Sequence, residues 1–544
     1  MRKLGIALAM TVAAVGAAHA ADLPSLPTTK PVGPPPVNCF SSLWAYMNST
    51  AADCPLTYGP FTAYLTLDWG FGWQSHSAGY NAAFNNGVGN IITKQAGPNS
   101  AWLQTPNGIN QSVVGIKMSQ PLSFLSGPFL SGWSLVGTAE MGFNPYWGYL
   151  ADAQLSQVQN NGKALVLQNA NADSSRTGQW DNSQGFLGIS NPAYGTLTAG
   201  RVNTLSLDTL IAYDPQSSAY AFSPFGYSGS YAGFGDTELA RANTGVKYRL
   251  NYMNFRVGGL AQWGGYDQGN GATELWQGQV GADFANLAGG TYFAGKLSMD
   301  FLGSYAQNAV NVSTFSGTCA VIAKGTYVGQ VGCTDGIPMY YNQTDVKATL
   351  SNNLGFLGVA KYTFAQIPLA ISGGYAWLKQ SNPTGYYPDG FQTIGGWNVP
   401  GTIPSSSPLA KFFPTQWITY NQYENARIAP YWFFGAKYAV TPQIDVSGAF
   451  YYLSQNNYNS SATPCAWANT TYVEPSGQKF TVARLNNGAC AGSTDFISFM
   501  IDYRPVKRFD LYAGVMVSNV YGGLANGYQE TQLIAPTAGL RIKF

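Results

Sequence analysis

The chain has 544 residues, of which 10% are charged and 14% aromatic, with 64 glycines and a formal net charge of +2. Soluble domains carry about 25% charged residues, and a near-zero balance excludes an overall basic field for nucleic acid. After the N-terminus no stretch approaches the roughly 18 to 20 apolar residues of a spanning helix. That excludes a helical membrane protein and leaves a β-barrel open, because alternating strands give a weak hydropathy signal.

Met1 to Ala20 places Arg2 and Lys3 before an apolar run from Leu4 to Gly16, then Ala18-His19-Ala20 before Ala21. This is the pattern of a secretory signal peptide. Its removal takes the net charge from +2 to 0, with equal numbers of acids and bases left. Residues 21–60 form a proline-rich N-terminal segment, expected in the periplasm, that holds a cysteine pair; proline-rich chain is a semi-rigid extended spacer. Residues 61–544 are expected to form one barrel. The six cysteines fall as three local pairs, Cys39 with Cys54, Cys319 with Cys333 and Cys465 with Cys490. In an exported chain this spacing points to disulfides. The competing metal reading finds no CxxC spacing and no nearby histidine, so neither metal nor cofactor is expected.

Alternation then marks the strands. From Phe61 to Trp73, Phe61, Ala63, Leu65, Leu67, Trp69, Phe71 and Trp73 fall on one face, with Thr62, Tyr64, Thr66, Asp68 and two glycines on the other. Similar patterns follow at 112–120, 132–143, 183–190, 194–201, 243–251, 254–263, 275–285, 292–305, 355–364, 369–379, 429–440, 444–454, 495–503, 509–520 and 536–544. With the first, these make sixteen strands of an all-β transmembrane barrel. The stretch 345–351 (DVKATLS) is a further strand candidate, but counting it breaks the alternation of short turns and long loops that a bacterial barrel requires. The short turns are 191–193, 365–368, 441–443 and 504–508. Long loops occupy 74–111, 144–182, 202–242, 307–354, 380–428 and 455–494. An even count puts both barrel ends on the periplasmic side. Trp69, Trp73, Trp263 and Tyr503, at strand ends, fit interfacial girdles.

The most informative stretch is Phe186 to Tyr252. A strand ending at Gly200-Arg201 leads into some forty residues without long periodicity, and such a loop inside a compact domain is commonly functional. Its acids Asp208, Asp214, Asp236 and Glu238 sit between Arg201, Arg241, Lys247 and Arg249. The loop is expected to fold into the barrel and narrow it. YGTLTAGR, then FGDTE, then GVKYR resemble the third-loop region of the general Gram-negative outer-membrane porins, and the resemblance implies a trimer of sixteen-stranded barrels with an inward-folded third loop. Carried over, Asp236 matches the motif aspartate, Arg201 the arginine after the strand glycine, and Arg249 that of the following strand. Glu238 is close to a second acid, and a further basic wall position appears here as Val113. The terminal alternation from Thr537 to Phe544, with Leu540, Ile542 and Phe544 toward lipid and Arg541 and Lys543 inward, resembles the assembly signal read by the barrel-insertion machinery.

The resemblance implies a water-filled pore for passive diffusion of small hydrophilic solutes and ions, set in outer-membrane lipid and lipopolysaccharide. Loop 144–182 is implied to latch onto a neighbouring protomer. Opposed carboxylates and guanidinium groups in a narrow passage set a transverse field that sorts solutes by charge. The plainer reading of Arg201 and Arg249 is a salt bridge that holds the loop to the wall, and both readings are compatible. Tyr220, Phe222, Phe225, Tyr227, Tyr231 and Phe234 raise the alternative of a sugar-type aromatic track, against the plainer reading of rings packed on the inner wall. A non-conducting structural or adhesive barrel is a third class. Catalysis is not expected, since His76 is the one histidine left after the leader and a Ser-His pair depends on it.

Overall fold

The structure is a computed structural model that describes residues 39–75, 100–104, 107–125, 127, 131–143, 145–146, 183–225, 240–264, 272–285, 295–313, 319–321, 331–333, 347–384, 393–394, 397–398, 418–420, 423–459, 464–473, 479–485, 488–525 and 531–544. Residues 1–38, with the expected leader and most of the proline-rich segment, lie outside them.

The barrel strands are β1 (Phe61–Gln74), β2 (Val113–Pro121), β3 (Ser134–Gly142), β4 (Gly185–Asn191), β5 (Gly195–Asn203), β6 (Arg241–Tyr252), β7 (Phe255–Gln262) and β8 (Glu274–Ala285). They continue with β9 (Gly295–Ser313), β10 (Lys347–Phe364), β11 (Leu369–Ser381), β12 (Tyr431–Thr441), β13 (Ile444–Gln455), β14 (Gly492–Val506), β15 (Phe509–Gly522) and β16 (Gln532–Lys543). Each pairs antiparallel with its sequence neighbour, and β1 pairs on its other edge with β16, from Thr66↔Lys543 to Gly72↔Thr537. Closure leaves no open edge, the condition for a sheet in hydrocarbon, where every backbone N–H and C=O must be paired.

All sixteen expected strands are present, several of them longer than expected, and β9 and β10 extend together toward the outer connections. The 345–351 stretch is not an extra strand: Lys347–Phe364 is continuous, and it pairs with β9 out to Ser313↔Lys347 across an irregularity between Ala306 and Ala309. These extensions hold Asn308, Asn311, Ser313, Asn352 and Asn353, and polar chain of this kind carries no apolar alternation to read. Short hairpins lie in the outer connections, among them Cys319–Val321 with Val331–Cys333 and Trp467–Val473 with Lys479–Leu485.

The two faces of the sheet differ in chemistry. Phe71, Leu187, Phe301, Tyr375, Phe434, Ile497 and Leu511 are exposed on one face, while Asp68, Gln277, Asp300, Ser447, Ser498 and Asp510 alternate with such residues and are buried on the other. An apolar exterior around a closed sixteen-stranded antiparallel sheet is a transmembrane barrel of the outer-membrane type, and the outer membrane is where this chain resides.

At the turn end of the barrel a small unit covers the seam between β1 and β16. Helix α1 (Leu43–Met47) starts at Ser42, whose side chain accepts from Ala45 N–H. Cys39 and Cys54 are disulfide-bonded with Cα atoms 5.8 Å apart, and Leu56–Tyr58 adds to β1 through Tyr58↔Phe61. Phe544, expected to face lipid, instead stacks on Tyr46 at 6.5 Å. The unit arrives on the same side of the seam and takes up that ring. A second disulfide joins Cys465 to Cys490, Cα atoms 5.9 Å apart. Cys319 stands directly opposite Cys333 in its hairpin ladder.

Candidate functional site

The long connection after β5 begins as helix α2 (Leu205–Tyr213). Thr204 caps it by accepting from Leu207 N–H, and Asp208 lies in the first turn, where a carboxylate complements the helix dipole. Pro215 follows Asp214, which is extended at φ −63°, ψ 127°; a residue before proline is pushed out of the helical region, and the helix ends. Asp214 then closes a turn by accepting from Gln216 N–H at 3.3 Å and Ser218 N–H at 2.7 Å.

This segment is bonded to the buried face of many strands. Gln277 of β8 accepts from Leu205 N–H at 2.8 Å, Gln279 donates to Thr209 at 3.1 Å, and Lys361 of β10 donates to Ala212 O at 3.3 Å. Further on, Gln216 donates to Ser498 of β14 at 3.0 Å and accepts from Ser447 of β13 at 2.7 Å. Tyr451 donates to Asp214 at 2.6 Å. Phe222 meets Tyr512 of β15 edge-on, and Phe225 packs between Tyr431, Phe433 and Tyr451. Around it the buried wall is apolar, with Leu302, Leu357, Val359, Ala376 and Leu378 in one cluster with Leu205 and Leu210. Ala221 N–H donates to Gly108 O, and that stretch is itself held by Asp68, which accepts from Ile109 and Asn110 N–H at 2.9 Å and from Tyr512 at 2.5 Å.

The charged residues form compact clusters on the same face. Lys247 and Arg249 share Asp208, at 2.9 and 3.1 Å. Asn203 joins them, donating to Asp208 and accepting from Arg241 at 2.9 Å. Burial pushes the Asp208 carboxyl up, but the two cations outweigh it and hold it below the usual carboxylate range. Asp214 has no cation in that role: burial raises it against the hydrogen bonds from Tyr451, Ser223 and Ser218. Lower on the wall, Arg256 bonds Asp283 at 2.5 Å, Asp300 at 3.2 Å and the Tyr213 hydroxyl at 2.9 Å, while Lys296 takes the other Asp283 oxygen at 2.7 Å.

Of the residues singled out in the sequence, Asp208, Arg241, Lys247 and Arg249 are thus gathered into one network. Arg201 bonds Ser183 O at 2.7 Å and the Asn243 side chain. Asp214 sits apart, against β13. Asp236 and Glu238, with Tyr227, Tyr231 and Phe234, lie outside the described residues. Several wall residues were not singled out as site candidates by the sequence, although Tyr64 falls on its expected inward face. Tyr64 donates to Glu140 at 2.7 Å with Ser183 on the other oxygen, and Lys117 lies over the Tyr64 ring at 4.7 Å. Arg256, Asp283 and Asp300 were also missed. The available signal was their strand parity, since each alternates with an exposed apolar neighbour.

No family model matches this chain, and neither does any curated protein sequence. Among solved structures it is similar to an anion-selective porin from Comamonas acidovorans, at 12% identity over 89% of this chain and 99% of that one, TM-score 0.47. It is also similar to OmpT, an outer membrane protein of Vibrio cholerae, at 10% identity over 90% and 100%, TM-score 0.45. Salmonella typhi OmpF in complex with daunomycin is a third, at 10% identity over 89% and 94%, TM-score 0.43.

Proposed function

We propose that this outer-membrane barrel is a porin: a water-filled channel for passive diffusion of small hydrophilic solutes and ions, constricted by the segment from Thr204 to Phe225. The observation that carries the reading is the split of the buried face. The wall from β7 to β15 packs against that segment with many apolar side chains, whereas the wall from β1 to β6 keeps Tyr64, Lys117, Glu140, Arg201, Lys247 and Arg249. At the level of the segment water and polar solutes pass along the second wall, and the ion pairs of Asp208 hold the segment at the fixed distance that sets the width; toward the short turns the passage also meets charged side chains of β9, β12, β14 and β16. The aromatic-track alternative loses two of its rings, because Phe222 and Phe225 are fully buried against the wall and present no face for a sugar to stack on. Residues 1–20 serve as the export leader, 21–38 as a periplasmic tether, and three copies assemble in the membrane.

The test is single-channel recording of the mature protein in a planar bilayer. Stable conductance closing in three equal steps is the expected result. A correctly folded barrel that conducts nothing overturns the diffusion reading and reopens the structural or adhesive one.

A further inference from the structure

The sequence leaves the sign of any ion preference open, since the mature acids and bases are equal in number. The structure breaks that equality through burial. Four aspartates on the inner face each bridge two cations: Asp208 with Lys247 and Arg249, Asp283 with Arg256 and Lys296, Asp445 with Lys437 and Arg504, and Asp510 with Arg541 and Lys543. In every cluster the carboxylate lies behind its cations. The side chains of Asp208, Asp283, Asp445 and Asp510 are 7%, 5%, 8% and 0% exposed. Their more open partners Arg249, Lys296, Lys437, Arg504 and Lys543 are 24%, 38%, 41%, 29% and 37% exposed. The two further acids in these clusters, Asp300 and Asp502, are 3% and 7% exposed.

We infer that the channel prefers anions, and that the lysine and arginine head groups on the lower inner wall are what selects them. The inference rests on the diffusion reading above. Strand parity puts Lys296, Lys437, Arg504, Arg541 and Lys543 inward, because exposed apolar residues such as Phe301, Phe434, Tyr438, Tyr503 and Leu511 hold the outward positions of the same or paired strands. All five lie near the short turns, where the chain re-enters the membrane, so they surround one end of the passage. A solute in the water there meets ammonium and guanidinium groups first, with the balancing negative charge set back in the wall. Rings of arginine and lysine are the selecting element of anion pores, and low-dielectric walls focus their field into the lumen. The class selected is the small hydrated anion, whether chloride, phosphate or an organic carboxylate.

The experiment is the reversal potential of mature wild-type protein in a potassium chloride gradient, compared with the triple variant Lys296→Gln, Lys437→Gln, Lys543→Gln. Each aspartate keeps an arginine partner (Arg256, Arg504 or Arg541), so no buried carboxylate is orphaned. Wild type is expected to pass chloride over potassium. Each substitution is expected to lower that ratio roughly twofold, the size of one partly exposed charge interaction, with conductance persisting. A cation-selective wild type, or a folded triple variant with an unchanged reversal potential, overturns the inference while leaving the diffusion channel standing. Loss of all wild-type conductance overturns the channel itself. If the triple variant does not reach the heat-modifiable folded form, Lys543→Gln alone carries the comparison.

Discussion

At Asp208, burial and charge compete, and the two cations decide the outcome. Its carboxylate stays ionised because Lys247 and Arg249 lie within 3.1 Å, which also makes it the main electrostatic tie between helix α2 and the wall. In Asp208→Asn both cations lose their shared partner. Breaking a buried pair costs about 3 kcal/mol or more, so the variant is expected to show a lower unfolding midpoint and noisier single-channel current. The acid sensitivity follows from the same tie. A carboxyl whose folded value lies below its unfolded value contributes stability that is present above the unfolded value, about 3.9, and is lost as pH falls through the folded one. Current is expected to stay quiet from pH 7 to 4 and to begin flickering only below that, as recordings on an acid series would show. Asp214 acts in the opposite sense: its raised value means that its contribution falls as pH rises through it. That Asp208, Lys247 and Arg249 bear on one site was legible from a charged, aperiodic loop between two strands. Their pairing was not, because 39 residues separate Lys247 from Asp208 and no local periodicity spans that distance.

Among the elements, the strands were the most legible part of the chain. Alternation is a local property that lipid on one face and a packed or wet interior on the other impose on every strand, so Phe61 to Trp73 declared its two faces unaided. Strand ends beyond the bilayer were less so, as in β9 and β10, where asparagine and serine continue the ladder after the apolar signal stops. The course of the segment from Thr204 to Phe225 depends on room left by the wall. At Gly435 of β12 an added Cβ would lie 2.7 Å from the Pro215 ring and 2.3 Å from Gly448 O. Gly435→Val is therefore expected to cost about 1 to 3 kcal/mol by overpacking and to shift the segment toward the opposite wall. A changed unit conductance together with a lowered unfolding midpoint is the result that checks it. In the sequence Gly435 is one glycine among 64, and nothing local distinguishes it from a strand glycine with open space above it.

Across the whole molecule, the seam where β1 meets β16 is covered by the unit at residues 39–58. Arg508, in the turn between β14 and β15, is 2% exposed and donates to Tyr46 O at 3.1 Å, Thr50 O at 2.9 Å and Cys54 O at 2.8 Å. Its guanidinium also lies 4.0 Å over the Tyr46 ring. The Cys39–Cys54 bond, across a separation of 15 residues, limits the unfolded freedom of this unit by about 3 kcal/mol. Arg508→Ala leaves three carbonyls without their donor, at about 1 to 3 kcal/mol for a buried group so abandoned. Limited proteolysis of the variant is expected to cut within 39–58 while the barrel keeps its heat-modifiable mobility; simultaneous loss of both would make the unit part of the barrel's own stability. By itself the sequence determined an all-β chain of sixteen alternating strands closed at its ends, because alternation and turn spacing are written in neighbouring residues. The tertiary structure alone decided which charges meet and which face water, because that depends on contacts between residues far apart in the chain. Burying aspartates behind paired cations gives a lumen surface whose sign a count of acids and bases does not contain.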